Sequence, residues 1–381
     1  MDHAPTPLET NGASAVSLDD ALKALCRDPI LPESRFAAFR CYYDEVRLGV
    51  RPARHNGDAI IPIDCLYPST HESVVRAVEK LRSGSEKTAE SFWTEAFPSC
   101  DKQIDAAWRT VKLTYLIDPA SQDSYPSGFR FENESVFPVK WKSKQTFRDF
   151  FNTAFPTADT KIQEVWKASS KRTSLKAWKL HKRLKLEIVP TNDLAEHLVY
   201  NPKTKSLAVF HQVEWLKAQV RYTENRELDE AVELSLAAGT LPPQLLVETL
   251  YTIYAILFPI GTDKKSLKFA KRLVQAEGPA RSAFDRNLLT YGRSAHQPSV
   301  DFEYLYWNRR LKALQALVEA RPPRNNVVSW FERHTSERNA LTVAIIGLFL
   351  SALFGLLGLL VGISQIVVST WAWKYPVQKL G

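Results

Sequence analysis

The spacing of apolar and polar positions predicts a mainly helical body. Apolar residues recur at intervals of three and four in segments that begin at Ser/Thr/Asp caps or end near Gly or Pro. The predicted helices begin at Ser17 and then lie at 69–84, 86–97, 101–116, 143–154, 160–169, 174–185, 191–198, 212–223, 227–237, 243–258, 263–276 and 301–320. Ser69 and Glu72 have the spacing of a capping box at the start of the helix at 69–84. Leu241–Pro259 has prolines at both ends and is apolar nearly all round, which is typical of a central core helix.

Two segments break this helical pattern. Leu198–Phe210 contains two short apolar runs around an Asn201-Pro202 turn and predicts a β-hairpin. The apolar run within 58–68 predicts an extended segment interrupted by Pro62. The expected fold class is therefore mainly α, with one short hairpin and a C-terminal transmembrane helix.

The transmembrane helix is predicted from Ala340–Trp373, 34 residues without an ionisable side chain. At about 1.5 Å per residue, two crossings of a hydrocarbon core of about 30 Å would leave no residues for a turn. One tilted pass fits better than an intramembrane hairpin or a buried soluble helix. Trp371 and Trp373 lie where an aromatic belt is expected.

The flanks of this span predict a tail-anchored protein with its large N-terminal part in the cytosol. Only eight residues follow the span, and the first residues lack the basic and apolar regions of a secretory signal. Arg321, Arg324, Arg333 and Arg338 precede it, against Lys374 and Lys379 after it. The length of the span favours the endoplasmic reticulum over the mitochondrial outer membrane.

A stripe of small residues on one face of the span predicts packing against another transmembrane helix. Such residues let two backbones approach closely and gain dispersion contacts that lipid does not offer. The partner would be a second copy or another protein, and the alternative is that glycine is simply common in membrane helices. The stripe consists of Gly347, Ser351, Gly355, Gly358 and Gly362.

Composition fits a folded protein. The 381 residues contain 50 Lys and Arg, 42 Asp and Glu and 22 Pro, and 24% are charged, which excludes collagen-like, long coiled-coil and wholly disordered chains. Four cysteines without a C-x-x-C pair do not form a disulfide scaffold. The predicted organisation is a disordered N-terminus (1–16), an α(+β) region (17–137), a helical domain with the hairpin (138–320), a juxtamembrane linker (321–339), the transmembrane helix (340–373) and a short tail (374–381).

Positive charge is concentrated between Lys140 and Lys185. This segment holds 13 Lys and Arg against Asp149, Asp159 and Glu164. It could contact anionic lipid, nucleic acid or an acidic protein, or be only a solvated helical face; a membrane tether favours lipid among the ligands. The candidate residues for an anionic surface are Lys167, Lys171, Arg172, Lys176, Lys179, Lys182, Arg183 and Lys185.

The sequence contains no catalytic motif that would assign an enzymatic activity. No nucleophile elbow, dinucleotide fingerprint, complete P-loop or zinc-protease motif occurs, and the histidines lack metal-ligand spacing. We therefore expect no cofactor, no metal and no catalytic residue, although a membrane-bound enzyme with scattered site residues is an alternative. His197 and His211 flank the hairpin and could form a metal or acid–base pair, but two histidines bonded to backbone are expected instead. Asn133 begins a glycosylation sequon that a cytosolic domain would leave unmodified.

Several segments together resemble a known group of sequences, an uncharacterised family of filamentous-fungal proteins. The resemblance implies a helical cytosolic region followed by a glycine-containing membrane helix and a Trp-x-x-x-Pro end. It implies no activity. The segments are Trp178–His181, Val189–Leu198, Leu207–His211, Glu214–Lys217, Leu241–Leu250 and Ala340–Pro376. The expected function is a tail-anchored binding or scaffold module, with a membrane-bound enzyme or a tethered nucleic-acid-binding domain as alternatives.

Overall fold

The chain divides into two units, Met1–Ala320 and Arg321–Gly381. The computed structural model describes residues 16–29, 32–48, 70–98, 100, 102–121, 139–158, 166–167, 174–275, 284–291, 302–320 and 339–374. Five sequence predictions lie outside the described residues: the disordered N-terminus (all but residue 16), the extended segment at 58–68, Lys171 and Arg172, nearly all of the linker and nearly all of the C-terminal tail.

The first unit is built mainly from helices, as the spacing of apolar residues predicts. Their apolar faces pack into one cluster that extends from Leu22 to Val318. The helices are α1 Leu18–Cys26, α2 Ala37–Leu48, α3 His71–Arg82, α4 Ala89–Ala96, α5 Gln103–Tyr115, α6 Phe147–Ala154, α7 Ala177–Leu184, α8 Val213–Tyr222, α9 Val232–Ala237, α10 Pro243–Tyr251, α11 Lys264–Val274, α12 Leu288–Tyr291 and α13 Asn308–Ala320.

The N-terminal cap of α1 forms where the sequence predicts it, and that of α3 lies one residue further along the chain. The Ser17 hydroxyl accepts a hydrogen bond from the Asp20 amide at 3.2 Å. In α3 the capping box is closed by Thr70 and Ser73, whose hydroxyls each accept from the other's backbone amide. The sequence places this box one residue earlier, between Ser69 and Glu72. Thr70 and Ser73 have the same three-residue spacing, so local chemistry locates a cap to within one residue.

Among the described residues, five short strands accompany the helices, and three of the predicted helices are partly wrong. β2 Glu187–Thr191 pairs in parallel with β4 Ser206–Phe210, and β3 Tyr200–Asn201 pairs antiparallel with β4. The predicted hairpin is therefore present. The predicted helix at 191–198 is only a 3₁₀ turn at Leu194–Glu196, because pairing with β4 holds the chain extended up to Thr191. β1 Trp166–Lys167 pairs with β5 Glu303–Tyr304, where helices were expected to run through 160–169 and from 301.

The predicted core helix at Leu241–Pro259 is confirmed, with a change of helix type inside it. α10 continues as a π-helix over Thr252–Leu257. Leu245, Leu246 and Ile256 are fully buried. The His197 ring Nε2 lies 2.6 Å from the Thr252 hydroxyl where the π-helix begins. This contact joins the core helix to the segment between β2 and β3.

The second unit contains one long apolar helix, α14, Asn339–Lys374. Within it Gly347–Trp371, 25 residues, is long and apolar enough to cross a membrane. The apolar side chains from Leu348 to Val368 are exposed within this chain. At about 1.5 Å per residue the 25-residue stretch is about 37 Å long, which exceeds a hydrocarbon core of about 30 Å. The mainly α fold class with a C-terminal apolar helix is confirmed.

Candidate functional site

The candidate site is a surface formed by two neighbouring helices, α7 and α11. Each is amphipathic: α7 buries Ala177, Leu180 and Leu184, and α11 buries Phe269 and Ala270 among others. Burial of these positions against the core leaves the charged positions of both helices on the outside. We call Lys176–Lys185 together with Asp263–Arg272 the basic helix pair.

Three contacts show how the two helices are aligned. The Lys176 Nζ lies 2.7 Å from the Asp263 Oδ2. Two residues further along each helix, the Lys265 Nζ lies 5.0 Å from the centre of the Trp178 ring. Further along, the rings of His181 and Phe269 are 5.3 Å apart. Since residue numbers rise in step in all three contacts, the two helices run side by side in the same direction.

The charge of the basic helix pair is almost entirely positive. Its ten cations face one carboxylate, Asp263, whereas the whole chain has a formal charge of only +8. Of the ten, eight are Lys and two are Arg. Seven of the ten cationic side chains are exposed: Lys182, Lys185, Lys264, Lys265, Lys268, Lys271 and Arg272. Within the described part of the chain, no carboxylate forms an ion pair with Lys182, Lys185, Lys264, Lys268 or Lys271.

Asp263 joins the N-terminal ends of the two helices. Its Oδ2 accepts hydrogen bonds from the Lys176 Nζ at 2.7 Å, the Trp178 Nε1 at 3.0 Å and the Ser266 hydroxyl at 3.2 Å. Its Oδ1 accepts from the Lys265 amide at 2.9 Å and so caps α11. Partial burial opposes ionisation, but the hydrogen bonds from Lys176 and Trp178 hold the pKa of Asp263 well below its usual range. The carboxylate is therefore ionised whenever the protein is folded near neutral pH.

The tip of the β-hairpin lies beside the C-terminal end of α7. Only Lys185 and Leu186 separate α7 from β2, and the Glu187 amide donates to the Lys205 carbonyl at 2.8 Å. Lys203 and Lys205 are exposed at this tip. The hairpin therefore adds positive charge at the end where α7 finishes.

Only part of the basic segment predicted from the sequence belongs to this surface. Lys176, Lys179, Lys182, Arg183 and Lys185 lie on or next to α7, whereas Lys167 lies in β1 opposite Glu303. Elsewhere in the segment, Arg148 pairs with Glu86 at 3.1 Å and Lys140 lies over the Trp108 ring. Trp141, one of the tryptophans interleaved with the charge, is buried in the core. The segment is therefore divided among several parts of the fold.

The cations of α11 complete the surface, and sequence reasoning missed them. Lys264–Arg272 contains five cations and no acidic residue, so the signal is present in the sequence. The sequence does not connect this run of cations with α7, because α11 follows α7 by about 80 positions. Only the packing of α11 on α7 makes the two short runs a single patch.

The histidines near the hairpin have structural roles. The His197 Nδ1 accepts from the Phe210 amide at 3.1 Å, and the His211 Nδ1 accepts from the Asp285 amide at 3.2 Å. Both rings are buried; burial, reinforced for His197 by Arg310, lowers both pKa values, to about 4 for His211. Bonding of the two histidines to backbone was the expected outcome. Among the described residues no group of three or more His, Cys, Asp or Glu is arranged to hold a metal ion.

Comparison with known proteins adds no assignment: no protein-family model, curated protein or solved structure matches this chain.

Proposed function

We propose that this chain is a single-pass membrane protein whose basic helix pair binds the anionic headgroups of membrane phospholipids. α14 is the anchor, and the helical unit lies on the cytosolic side, where anionic lipids are concentrated. The tail-anchored topology and the endoplasmic reticulum as destination, both expected from the sequence, belong to this proposal. The protein would act as a membrane-tethered binding or scaffold module.

The observation that carries the proposal is the charge of the basic helix pair. Ten cations and one carboxylate lie on two adjacent helices, and seven of the cations are exposed. Each cation near an anionic membrane surface contributes about 1 kcal/mol of attraction. A tether to the same membrane raises the effective concentration of the patch, so even weak headgroup contacts become populated.

Lysine is better suited to this task than to sequence recognition. Eight of the ten cations are Lys, compact point charges that attract phosphate without demanding one geometry. Bidentate recognition of base edges favours the planar fork of Arg. Nucleic-acid backbone is nevertheless a second candidate ligand, and the exposed Lys203 and Lys205 beside the end of α7 favour it.

Lysine footprinting of the full-length protein in nanodiscs tests the proposal. Brief acetylation followed by mass spectrometry measures the reactivity of each lysine in discs of phosphatidylcholine alone and of phosphatidylcholine with phosphatidylserine. We expect Lys182, Lys185, Lys268 and Lys271 to react more slowly in the anionic discs, and salt to remove the difference. Exposed Lys142 and Lys144, outside the basic helix pair, serve as internal controls. Equal reactivity in the two kinds of disc would refute the proposal.

Charge reversal provides a matched pair of variants. Lys268→Glu with Lys271→Glu should weaken headgroup contact by about 4 kcal/mol, roughly a thousandfold, because two attractive charges are lost and two repulsive charges are added. Lys142→Glu with Lys144→Glu changes the net charge equally and should leave the footprint of α7 and α11 unchanged. Labelled DNA and RNA added to the neutral discs test the second candidate. Protection of the same lysines by nucleic acid, and not by anionic lipid, would replace the first proposal.

Orientation is tested by glycosylation. Asn133 begins a sequon, and a cytosolic unit never meets the glycosylating enzyme. We expect no glycan at Asn133 in a eukaryotic host and a glycan on a sequon placed in an extension after residue 381. A glycan at Asn133 would contradict the cytosolic orientation.

A further inference from the structure

The single carboxylate of the basic helix pair is central to how the pair presents its charges. We infer that Asp263 is a positioning residue for headgroup binding, because it fixes α7 and α11 in the alignment that makes one surface of their cations. This inference rests on the proposed function. Asp263 is acidic, and the ligands of this site are also anionic. Removing its negative charge would strengthen headgroup binding if net charge alone mattered, and would weaken binding if Asp263 positions the two helices.

The contacts of Asp263 support this role. Its Oδ2 accepts from Lys176 and Trp178 at the beginning of α7, while its Oδ1 and Oδ2 accept from Lys265 and Ser266 of α11. One side chain is thus hydrogen-bonded to both helices. The Lys176 and Asp263 side chains are largely shielded from solvent, with exposed fractions of 21% and 15%. Shielding makes such charge-assisted hydrogen bonds stronger than those at an open surface.

Repulsion between the helices explains why a carboxylate is needed. Two parallel helices that both carry only cations repel each other, and the apolar contact of His181 with Phe269 acts only further along. At the N-terminal end, the Lys176 Nζ donates to the Asp263 carboxylate, and the Lys265 Nζ lies over the Trp178 ring, whose Nε1 donates to the same carboxylate. The negative charge of Asp263 compensates this repulsion at the N-terminal ends of α7 and α11. Its loss would let the N-terminal end of α11 move away from α7.

The Asp263→Asn variant distinguishes a positioning role of Asp263 from an effect of net charge alone. If binding depended on net charge alone, removing the only carboxylate would strengthen headgroup contact by about fivefold, the equivalent of one added cation. If Asp263 positions the pair, contact should weaken about tenfold, since the charge-assisted hydrogen bonds to Lys176 and Trp178 are lost. Asn retains an oxygen that can accept from the Lys265 amide, so the cap of α11 is kept.

The experiment repeats the footprinting of the full-length protein in neutral and phosphatidylserine-containing nanodiscs, together with amide hydrogen exchange of α7 and α11. Glu72→Gln is the matched control, because it removes one exposed negative charge from α3. We expect Asp263→Asn to lose protection of Lys182 and Lys268 in anionic discs, Asp263→Glu to retain most of it and Trp178→Phe to be intermediate. The helices themselves should keep their slow amide exchange.

Unchanged or increased protection in Asp263→Asn would overturn the inference while leaving headgroup binding by the wild-type protein intact. Loss of protection accompanied by fast amide exchange throughout α7 and α11 would also overturn it, because Asp263 would then maintain the helices rather than their alignment. Absence of lysine protection in the wild type would instead reject the proposed function itself. The three results are therefore distinguishable.

Discussion

Gly239 lies so close to Arg82 that a Cβ atom added at position 239 would be 2.7 Å from the Arg82 Cβ. Arg82 is held there by donating to the carbonyls of Ala24 and Leu25 at the end of α1, at 3.0 Å and 2.7 Å. Gly239 itself has a φ of +68°, a conformation that other residues rarely adopt. The chain therefore needs a glycine here for two separate reasons.

Gly239→Ala should destabilise the protein by about 3 kcal/mol, since backbone strain and overpacking both contribute. Thermal unfolding of the full-length protein in detergent would show a lower midpoint. Gly84→Ala is the control, because the nearest neighbour of its added Cβ is the flexible Lys87 side chain, at 3.0 Å, although the Lys80 carbonyl also lies close, at 3.1 Å. A loss at position 239 no larger than at position 84 would contradict the structural argument.

His211 should make the fold sensitive to acid. Burial lowers its pKa to about 4, below the value of about 6.5 expected in the unfolded chain. The neutral ring therefore contributes stability that is present above pH 6.5 and is lost as the pH falls towards 4, about 3 kcal/mol in all. The difference in unfolding free energy between wild type and His211→Gln, measured from pH 7 to pH 4, should shrink by that amount.

The neighbouring Asp285 also makes the unfolding free energy depend on pH, so the prediction concerns the difference between wild type and His211→Gln. Burial raises the pKa of Asp285 to about 6, so the stability linked to its proton is lost as the pH rises through that value. This effect has the opposite sign in an overlapping pH range, but it is common to wild type and variant if His211 acts independently. A difference that stays constant between pH 7 and pH 4 would show that His211 does not titrate with the expected pKa.

Glu248 should be essential for attaching β5 and the start of α13 to α10. Its carboxylate is fully buried and accepts from the amides of Leu305, Tyr306 and Trp307 at 2.6–3.0 Å, and from the Gln244 side chain. Glu248→Gln would point an NH₂ group at some of these donors and leave them unpaired. We expect a loss of about 3 kcal/mol in unfolding free energy.

The same substitution at Glu319 provides the control for Glu248. Glu319 accepts from Gln315 on the exposed side of α13, so Glu319→Gln should change stability by less than about 0.5 kcal/mol. Urea or thermal unfolding of the two variants under identical conditions makes the comparison. Equal effects would mean that the four donors around Glu248 find other acceptors.

The stripe of small residues on α14 should mediate helix association. A Cβ added at Gly355, Gly358 or Gly362 meets no atom within 4 Å in this chain, so larger side chains fit the isolated helix. Replacing these three glycines with Leu should therefore abolish crosslinked oligomers in membranes without affecting insertion. Replacing Leu353, Leu357 and Leu360 on the opposite face with Ala should preserve them. Persistence of the oligomers in the triple Leu variant would refute the prediction.

Features that depend on near neighbours in the chain can be predicted from the sequence alone. Contacts between residues a few positions apart produce the cap at Ser17, the hairpin turn after Asn201 and the amphipathic spacing of α7 and α11. They also locate the cap of α3 to within one residue, since the structure uses Thr70 where the sequence indicates Ser69. The apolar helix α14 follows in the same way, because a long run without ionisable groups needs no partner to be recognised. Local chemistry of this kind is visible in a single chain.

Contacts between distant segments are visible only in the folded protein. β2 became a strand because β4 was available for parallel pairing, although its sequence runs directly into a predicted helix. The basic surface exists because α11 packs against α7 and Asp263 reaches Lys176, 87 positions away. Such contacts depend on the free energy of burying the whole core. That free energy involves residues far apart in the chain, so it cannot be predicted from a short segment of sequence. The charges of α7 and α11 can be identified in the sequence, but their assembly into one surface cannot.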